Sequence, residues 1–553
     1  MNMMDLTGIV RDEDTGLTKN AVMEKLYDGE SSNELSDDYS LPDYLPDIRK
    51  IVRVGAKPQL NGKYMNGEKV EFEGRVFYEI LYISSENTLK VIAFDTSFEQ
   101  NVPIVGLDEN CIVTITPLLD TVNCRLSGPR KLTMKSRIRS RLTAVTTKNP
   151  MPNITDAAGG SIRPEDRDTV EMHSEKIQSC YVNCLDDSEI QFSEDIEIDA
   201  ALPPIGEILS TELDAIVMET KCQAGKILYK GEITAAFLCQ CPGEIAENGE
   251  PDERYISINK KIPFSRTLEA DTVGEQCECF AEPTLENISA KPASNAFGEA
   301  KMIELDFTMS VDFTCYENKE AEIINDAYST AYDLQSTAEP LRILTLYQIH
   351  NSNFSVNGTL TPDESMTPAE ILDLRVCSEI FDAKQDKGKF VFNGSADVSA
   401  VTRLEDGTMS GINGSIPFKY EIDSGNFSGN PEFRYQCKLL QAKPRLESGK
   451  LTVDIEIAVC IAVFDMQSHS PIKNIILNKD KRLMPSENAS ILLYYPHAGE
   501  DLWSIAKNYR VGADALKRAN NIQESKTQTD ASDKVLFIPV AERKYPSIFS
   551  NIV

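Results

Sequence analysis

The chain has 553 residues, 87 acidic side chains against 56 basic ones, and a formal net charge of −31. Such a surface repels phosphate backbones and anionic lipid, which excludes non-specific binding to nucleic acid and membranes and leaves basic or neutral partners. With 41% hydrophobic and 26% charged residues the chain reads as globular with several cores. It has no stretch approaching the ~18 apolar residues of a membrane span and no cationic, then apolar, leader.

After an N-terminal segment, 1–36, the chain repeats one motif three times: a proline followed by an Ile- or Leu-rich turn, a glycine near the start of a strand, a Phe-containing strand and a long alternating strand. The first copy, 37–145, has Pro46-Asp-Ile-Arg-Lys-Ile51, Gly74, Phe98 and Leu132 in KLTMKSRIRSRLTAV. A linker, 146–170, is rich in turn formers. The second copy, 171–325, has Pro204-Ile-Gly-Glu-Ile-Leu209, Gly231, Phe264 and Ile303 in MIELDFTMSVDFTCY. The stretch DAYSTAYD, 326–333, leads into the third, 326–480, with Pro368-Ala-Glu-Ile-Leu372, Gly394, Phe418 and Leu451 in KLTVDIEIAVCIAVF. The prolines are 158 and 164 positions apart and the glycines 157 and 163, a step that chance matches do not keep. Period-2 alternation punctuated by Gly, Pro, Asn and Asp predicts a mainly β fold: tandem β-sandwich-like repeats, each with one short helical turn at its proline motif.

The alternating strands differ in charge. In the first, Leu132, Met134, Ile138 and Leu142 point one way, and Lys131, Lys135, Arg137, Arg139 and Arg141 form a cationic stripe on the other face. The matching faces carry Glu304, Asp306 and Asp312 in the second copy and Asp454 and Glu456 in the third. Two readings stay open for the stripe: a docking surface for the chain's own later units or a neighbouring molecule, or charges that keep an edge strand from aggregating.

Thirteen cysteines without a regular framework read as buried small hydrophobes of a reducing compartment. Cys239-Gln-Cys241 and Cys277-Glu-Cys279 are spaced by strand alternation, not by the two-to-four-residue gap of zinc sites, so neither metal nor cofactor is expected. Four histidines lie far apart, and neither a phosphate-cradling glycine loop nor a nucleophile motif is present, so the reading is non-enzymatic.

From 490 to 541 the pattern changes to a βααβ unit containing the only tryptophan. Leu502, Ile505, Ala506 and Tyr509 make the core stripe of its first helix, capped by Asp501, and Leu516 and Ala519 the buried side of the second. Trp503 lies beside the stripe with Lys507 and Arg510 at i+4 and i+7. Six acids balance six bases between 494 and 540. An aromatic flanked by cations has the composition of a protein-binding hot spot, so Trp503 is expected to be held out of the core as a contact residue.

Tyr495, Gly499-Glu500-Asp501-Leu502, Ile505-Ala506, Tyr509, Leu516, Asn520, Ile522 and Leu536-Phe537-Ile538-Pro539 resemble a LysM domain. The resemblance implies a groove formed by the turn before the first helix and the loop after the second: Gly499, Glu500, Asp501, Leu502 and Trp503, with Asn520, Asn521, Ile522 and Gln523. Lys507 and Arg510 extend that candidate surface. Glu500-Asp501 replaces the family's Asp-Thr, and the late loop lacks its Gly-Gln. The motifs LPDYLPDIRKI and DAYSTAYD and the glycine strand openings resemble the SPOCS repeat, and the whole order resembles the clostridial SPOCS-LysM proteins of endospore formers. That resemblance implies a coat-assembly scaffold in the mother-cell cytoplasm, recruited to the forespore surface through a coat morphogenetic ATPase, with other coat proteins as further partners. The alternative is a LysM protein that binds peptidoglycan or N-acetylglucosamine polymers of the cortex or wall.

Overall fold

The computed structural model describes residues 20–108, 110–243, 254–363, 366–483, 491–530 and 535–539. Residues 1–19 of the expected N-terminal segment, 531–534 of the late loop and everything from 540 onward, including the last two residues of the expected LysM unit, lie outside the described residues. The fold is mainly β, 73% strand and 4% helix.

Each repeat is six strands in two facing three-stranded antiparallel sheets. The first comprises β1 (Val22–Ser40), β2 (Ile48–Asn66), β3 (Lys69–Ser84), β4 (Leu89–Pro103), β5 (Ile112–Gly128) and β6 (Lys131–Lys148). Sheet β2-β3-β4 faces β1-β6-β5. Between them Phe72, Tyr78, Ile80 and Tyr82 meet Leu132, Met134, Ile138 and Leu142, the face that alternation assigns to the interior. A short strand, β7 (Asn153–Asp156), and a helical turn, α1 (Pro164–Arg167), lead to the second repeat. This one has β8 (Val170–Glu197), β9 (Glu207–Gln223), β10 (Lys226–Cys241), β11 (Arg254–Glu269), β12 (Glu278–Ala293) and β13 (Met302–Ser329). After β14 (Tyr332–Ala338) comes the third, with β15 (Leu341–Leu360), β16 (Pro368–Asp386), β17 (Lys389–Leu404), β18 (Met409–Asp423), β19 (Pro431–Glu447) and β20 (Lys450–His469), followed by β21 (Ile472–Arg482). The strands after each repeat gather into one small sheet, β14-β21-β7, and a bridge between Glu24 and Ile343 joins the outer sheets of repeats one and three.

The shared glycine has a steric reason. Gly74, Gly231 and Gly394 lie directly opposite Phe98, Phe264 and Phe418 on the neighbouring strand, and each phenyl ring covers its glycine. A Cβ on any of the three would sit 2.3–2.5 Å from the ring and 2.1–2.4 Å from a backbone carbonyl oxygen, so only glycine fits.

The proline motif differs from expectation: it forms no helical turn. The segment from Pro46 runs straight into β2, and its counterparts run into β9 and β16. Ile48 and Ile51, three apart, mimic helical spacing because the ladder with β3 slips between Ile48 and Lys50 and again between Ile51 and Arg53. The second slip leaves Val52 unpaired. The same bulge leaves Leu209 unpaired in β9 and Leu372 in β16, at the glycine spacings of 157 and 163. All three bulged residues enter one apolar cluster with Leu81, Leu238 and Val401 that joins the three repeats. The next residues are Arg53, Ser210 and Asp373, and they meet. The Arg53 guanidinium donates to Asp373 Oδ2 at 2.5 Å and toward Ser210 Oγ at 3.4 Å. Asp373, fully buried, also accepts from Ser257 and pairs with Arg375 at 3.2 Å. Burial alone would raise its pKa, but Arg375 and Arg53 outweigh that and hold the carboxyl below the usual range.

Element boundaries move in three places. β1 begins at Val22, inside the expected 1–36 segment. β6 runs to Lys148, into the expected linker. DAYS is the end of β13, not the start of the third repeat. The first shift explains the cationic stripe. β1 runs antiparallel beside β6 and carries Asp28, Glu30, Glu34 and Asp38. Lys131 pairs with Asp38 at 2.7 Å, Arg137 with Glu34 at 2.5 Å, and Arg139 and Arg141 approach Glu30 and Asp28 at 3.9 and 4.0 Å; Lys135 lies opposite Ser36. Arg139 also reaches Glu379, and Arg141 stacks over Tyr435, both in the third repeat. The stripe therefore faces β1 and the third repeat of its own chain.

Candidate functional site

The C-terminal unit consists of β22 (Ile491–Tyr494), α2 (Leu502–Tyr509), α3 (Ala513–Ala519) and β23 (Leu536–Pro539). Leu502, Ile505, Ala506, Leu516, Leu536 and Ile538 form its core. The turn before α2 is set by Gly499 at φ +86° and by Asp501, whose carboxylate accepts from the Trp503 and Ser504 amides as the helix cap. Tyr494 donates to Glu500 at 2.6 Å, an acceptor that raises the phenol pKa to about 12. The late loop closes onto this turn: the Gly499 and Leu502 amides donate to the Thr529 and Thr527 carbonyls, and the Thr529 amide to that of Glu500. Asn520 bonds both main-chain groups of Phe537. The turn before α2 is thus tied by backbone hydrogen bonds to residues 527–529 of the late loop, not to the 520–523 side of the implied groove.

The candidate residues separate by role. Leu502 is core, Ile522 packs against it, Asp501 caps α2 and Asn520 ties α3 to β23, so these four build the fold. Gly499, Asn521 and Gln523 are exposed. Leu493, Tyr495 and Phe537 stand exposed on the side of the two-stranded sheet away from the helices, with Leu493 and Phe537 directly opposite one another.

Trp503, Lys507 and Arg510 turn toward the chain's own second repeat. There β8 and β13 run 28 residues each, against 19 and 18 for β1 and β6, and their far ends form an arm under α2. The indole N–H donates to Asp326 Oδ2 at 2.8 Å, and Lys507 bonds the same carboxylate at 2.6 and 2.8 Å. Tyr328 inserts into the C-terminal core, its ring edge-on to the indole and its hydroxyl donating to the Val511 carbonyl at 2.6 Å. His173 makes a second ring contact with Trp503, the centroids 5.1 Å apart, Glu171 accepts from the Ala513 amide, and Arg510 reaches toward the Ser329 carbonyl. Burial pushes the Asp326 carboxyl up, but bonds from Lys507 and Trp503 outweigh it and leave the pKa lowered; Glu171, whose dominant influence is burial, is raised.

Trp503 is not held out of the core for a partner, as its place beside the stripe suggests: it packs against the C-terminal core and meets Asp326 and Tyr328 of the same chain. The physical reason is supply: the arm offers an acceptor for the indole N–H and an aromatic edge for its ring, which leave Trp503 partly buried. The acceptor and the tyrosine sit in DAYSTAYD, a stretch that sequence reading marks as a unit boundary. The missed signal was its alternation, Asp326 and Tyr328 on one face of a strand that continues β13.

Thirteen cysteines were expected as thiols; Cys279 and Cys315 are instead disulfide-bonded. The register of β12 on β13 places them directly opposite with Cα atoms 4.1 Å apart, a closeness that sequence spacing does not reveal.

Comparison with known proteins agrees with this architecture. A family model described as the SPOCS domain of SipL matches residues 47–127 and 204–293, within the first and second repeats, and a LysM domain model matches 498–526. Both are binding domains without catalytic function. No curated protein and no solved structure matches the chain. Among the described residues, no helix is long and apolar enough to cross a membrane. The chain thus carries two segments that match the SPOCS domain, in its first and second repeats, and a C-terminal segment that matches the LysM domain.

Proposed function

We propose that this chain is a non-enzymatic scaffold of endospore coat assembly that works in the mother-cell cytoplasm, its LysM domain presented to a coat morphogenetic ATPase at the forespore surface. One observation carries the reading: the LysM domain is pinned to the second repeat through α2. Leu493, Tyr495 and Phe537 at its sheet, and Gly499, Asn521 and Gln523 in its loops, take no part in that joint and stay exposed. Exposed aromatic and aliphatic side chains on a preorganised domain favour a protein partner, since little ordering is left for binding to impose.

The second reading, peptidoglycan or another N-acetylglucosamine polymer, rests on the LysM match itself. Affinity capture from sporulating cells, with the full chain and with a chain ending near residue 485, tests the first. Recovery of the ATPase with the full chain only is expected. Equal recovery by both chains, or sedimentation of the full chain with purified peptidoglycan and no ATPase, defeats it.

A further inference from the structure

The second repeat holds a cluster of three sulfurs, Cys279 and Cys315 within its core and Cys222 packed against it. Cys279 on β12 is bonded to Cys315 on β13, and Cys222 Sγ, on β9 of the facing sheet, lies 3.2 Å from Cys279 Sγ. All three sulfurs fall within 4.8 Å of one another. β9 and β12 are neighbouring edges of the two sheets, and the Thr220 hydroxyl donates to the Cys279 carbonyl at 3.0 Å, clamping one edge to the other. Cys222, two residues on and on the same face of β9, is thereby kept against Cys279.

Comparison among the repeats separates these thiols from ordinary core residues. Cys222 is the next-to-last residue before a two-residue turn; Met65 and Gln385 occupy that position in β2 and β16. The cross-strand pair Cys279 and Cys315 corresponds to Val113 with Ala144 and to Phe433 with Val463. The sandwich is built twice without a thiol or a disulfide at any of the three places.

We infer that Cys222, Cys279 and Cys315 are one exchangeable disulfide site, in which the bond moves from within a sheet to between the sheets. Cys222 gives its proton to solvent, and its thiolate attacks Cys279 Sγ. The Cys222–Cys279 bond forms as the Cys279–Cys315 bond breaks, and the electron pair leaves on Cys315 Sγ, which takes up a proton. No oxidant or reductant is consumed. The first pairing closes a loop of 36 residues and the second one of 57. Loop-closure entropy changes only logarithmically with length, so it barely separates them and the exchange is reversible. Its consequence is mechanical: the bond stops joining two strands of one sheet and staples β9 to β12, locking the repeat that carries the LysM arm.

The test is disulfide mapping of the full chain, equilibrated in a glutathione buffer, quenched with acid, alkylated and digested. Wild type is expected to yield both the 279–315 and the 222–279 linked peptides, in a ratio independent of whether the sample begins reduced or oxidised. Cys222→Ser should yield 279–315 alone. Cys315→Ala, which installs the residue found at 144, should keep a disulfide, now entirely 222–279. The inference is overturned if wild type contains no 222–279 peptide, or if Cys315→Ala leaves Cys222 and Cys279 both alkylated in the buffer that closes 279–315. Links from Cys279 or Cys315 to Cys277 or Cys184 in place of Cys222 overturn it as well. The wild-type arm stands even where a variant folds poorly.

Discussion

Two joints hold this molecule together, and they are built differently. Where the three repeats meet, each contributes a bulged aliphatic residue and then Arg53, Ser210 or Asp373, and the charges are sealed beneath an apolar cluster. Where the LysM domain meets the second repeat, one tyrosine is buried while the ion pair beneath it stays 41% exposed at Lys507 and 36% at Asp326. Desolvated charge makes the first joint nearly all-or-none, because breaking it strands an ion in the core. The second loses only screened interactions and one side chain's burial, so it can open while both sides stay folded.

The largest effect should come from removing the buried acid. Asp373→Ala removes the one fully buried carboxylate that Arg53 and Arg375 share, leaving them only the more exposed Glu79 and Glu212, and should destabilise the repeats by about 3–5 kcal/mol, whereas replacing Arg53, Asp373 and Arg375 together with apolar residues of similar volume should recover much of that. Chemical denaturation followed by circular dichroism separates the two. A loss under about 1 kcal/mol for Asp373→Ala would mean that water reaches the joint.

Next is the glycine under its phenyl ring. Gly231→Ala places a methyl 2.1 Å from the Ile216 carbonyl oxygen and 2.4 Å from Phe264, an overlap that side-chain motion cannot relieve because one neighbour is backbone. A loss of about 2–3 kcal/mol is expected, with partial recovery in Gly231→Ala/Phe264→Leu, since only the ring half of the clash is removed. Thermal unfolding of the pair checks this. Gly225→Ala serves as the contrast: nothing lies near its Cβ, so its strain comes only from φ +75°.

Why those glycines, and not the bulges, were legible follows from what each leaves in the sequence. A glycine that admits a ring repeats as a letter at fixed spacing, as does the phenylalanine opposite it. A bulge leaves no letter; it shifts the phase of an alternation, and Ile48-x-x-Ile51 then reads as a helical turn. The LysM core was legible for the first reason, through Leu502, Ile505 and Leu516. Its docking cradle was not, because Asp326, Tyr328 and Glu171 lie some 170 to 340 positions from their partners and belong to strands lengthened in one repeat only. The cationic stripe was legible as charge, but the acids that meet it sit on β1, which sequence reading left outside the repeat.

A mid-sized effect tests whether the LysM joint opens alone. Trp503 is the only tryptophan, so its emission reports on the dock without labels. Tyr328→Ala should weaken docking by about 2 kcal/mol, shift the emission to the red and leave the circular dichroism of the repeats unchanged. Loss of the repeats' signal along with the shift would show instead that the two joints fold as one.

The smallest effect is electrostatic, and its sign follows from the two carboxylates facing the dock. Asp326, paired with Lys507 and Trp503, has its pKa lowered on docking. Its contribution is thus complete above its ordinary value near 4 and disappears as the pH falls through the lower docked value. Glu171 is raised by burial, so its ionised form opposes docking at neutral pH and that opposition is relieved as it protonates, above the Asp326 range. Trp503 emission should therefore hold steady or tighten slightly from pH 7 to about 5 and shift red only below about 4. Asp326→Asn should weaken docking by about 1 kcal/mol at neutral pH, the discount for a part-exposed pair, and abolish the acid transition. An acid transition that survives in Asp326→Asn would move the control to another group. A neutral-pH loss as large as that of Asp373→Ala would mean that the LysM ion pair is as dry as the one between the repeats, and the contrast between the joints would fail.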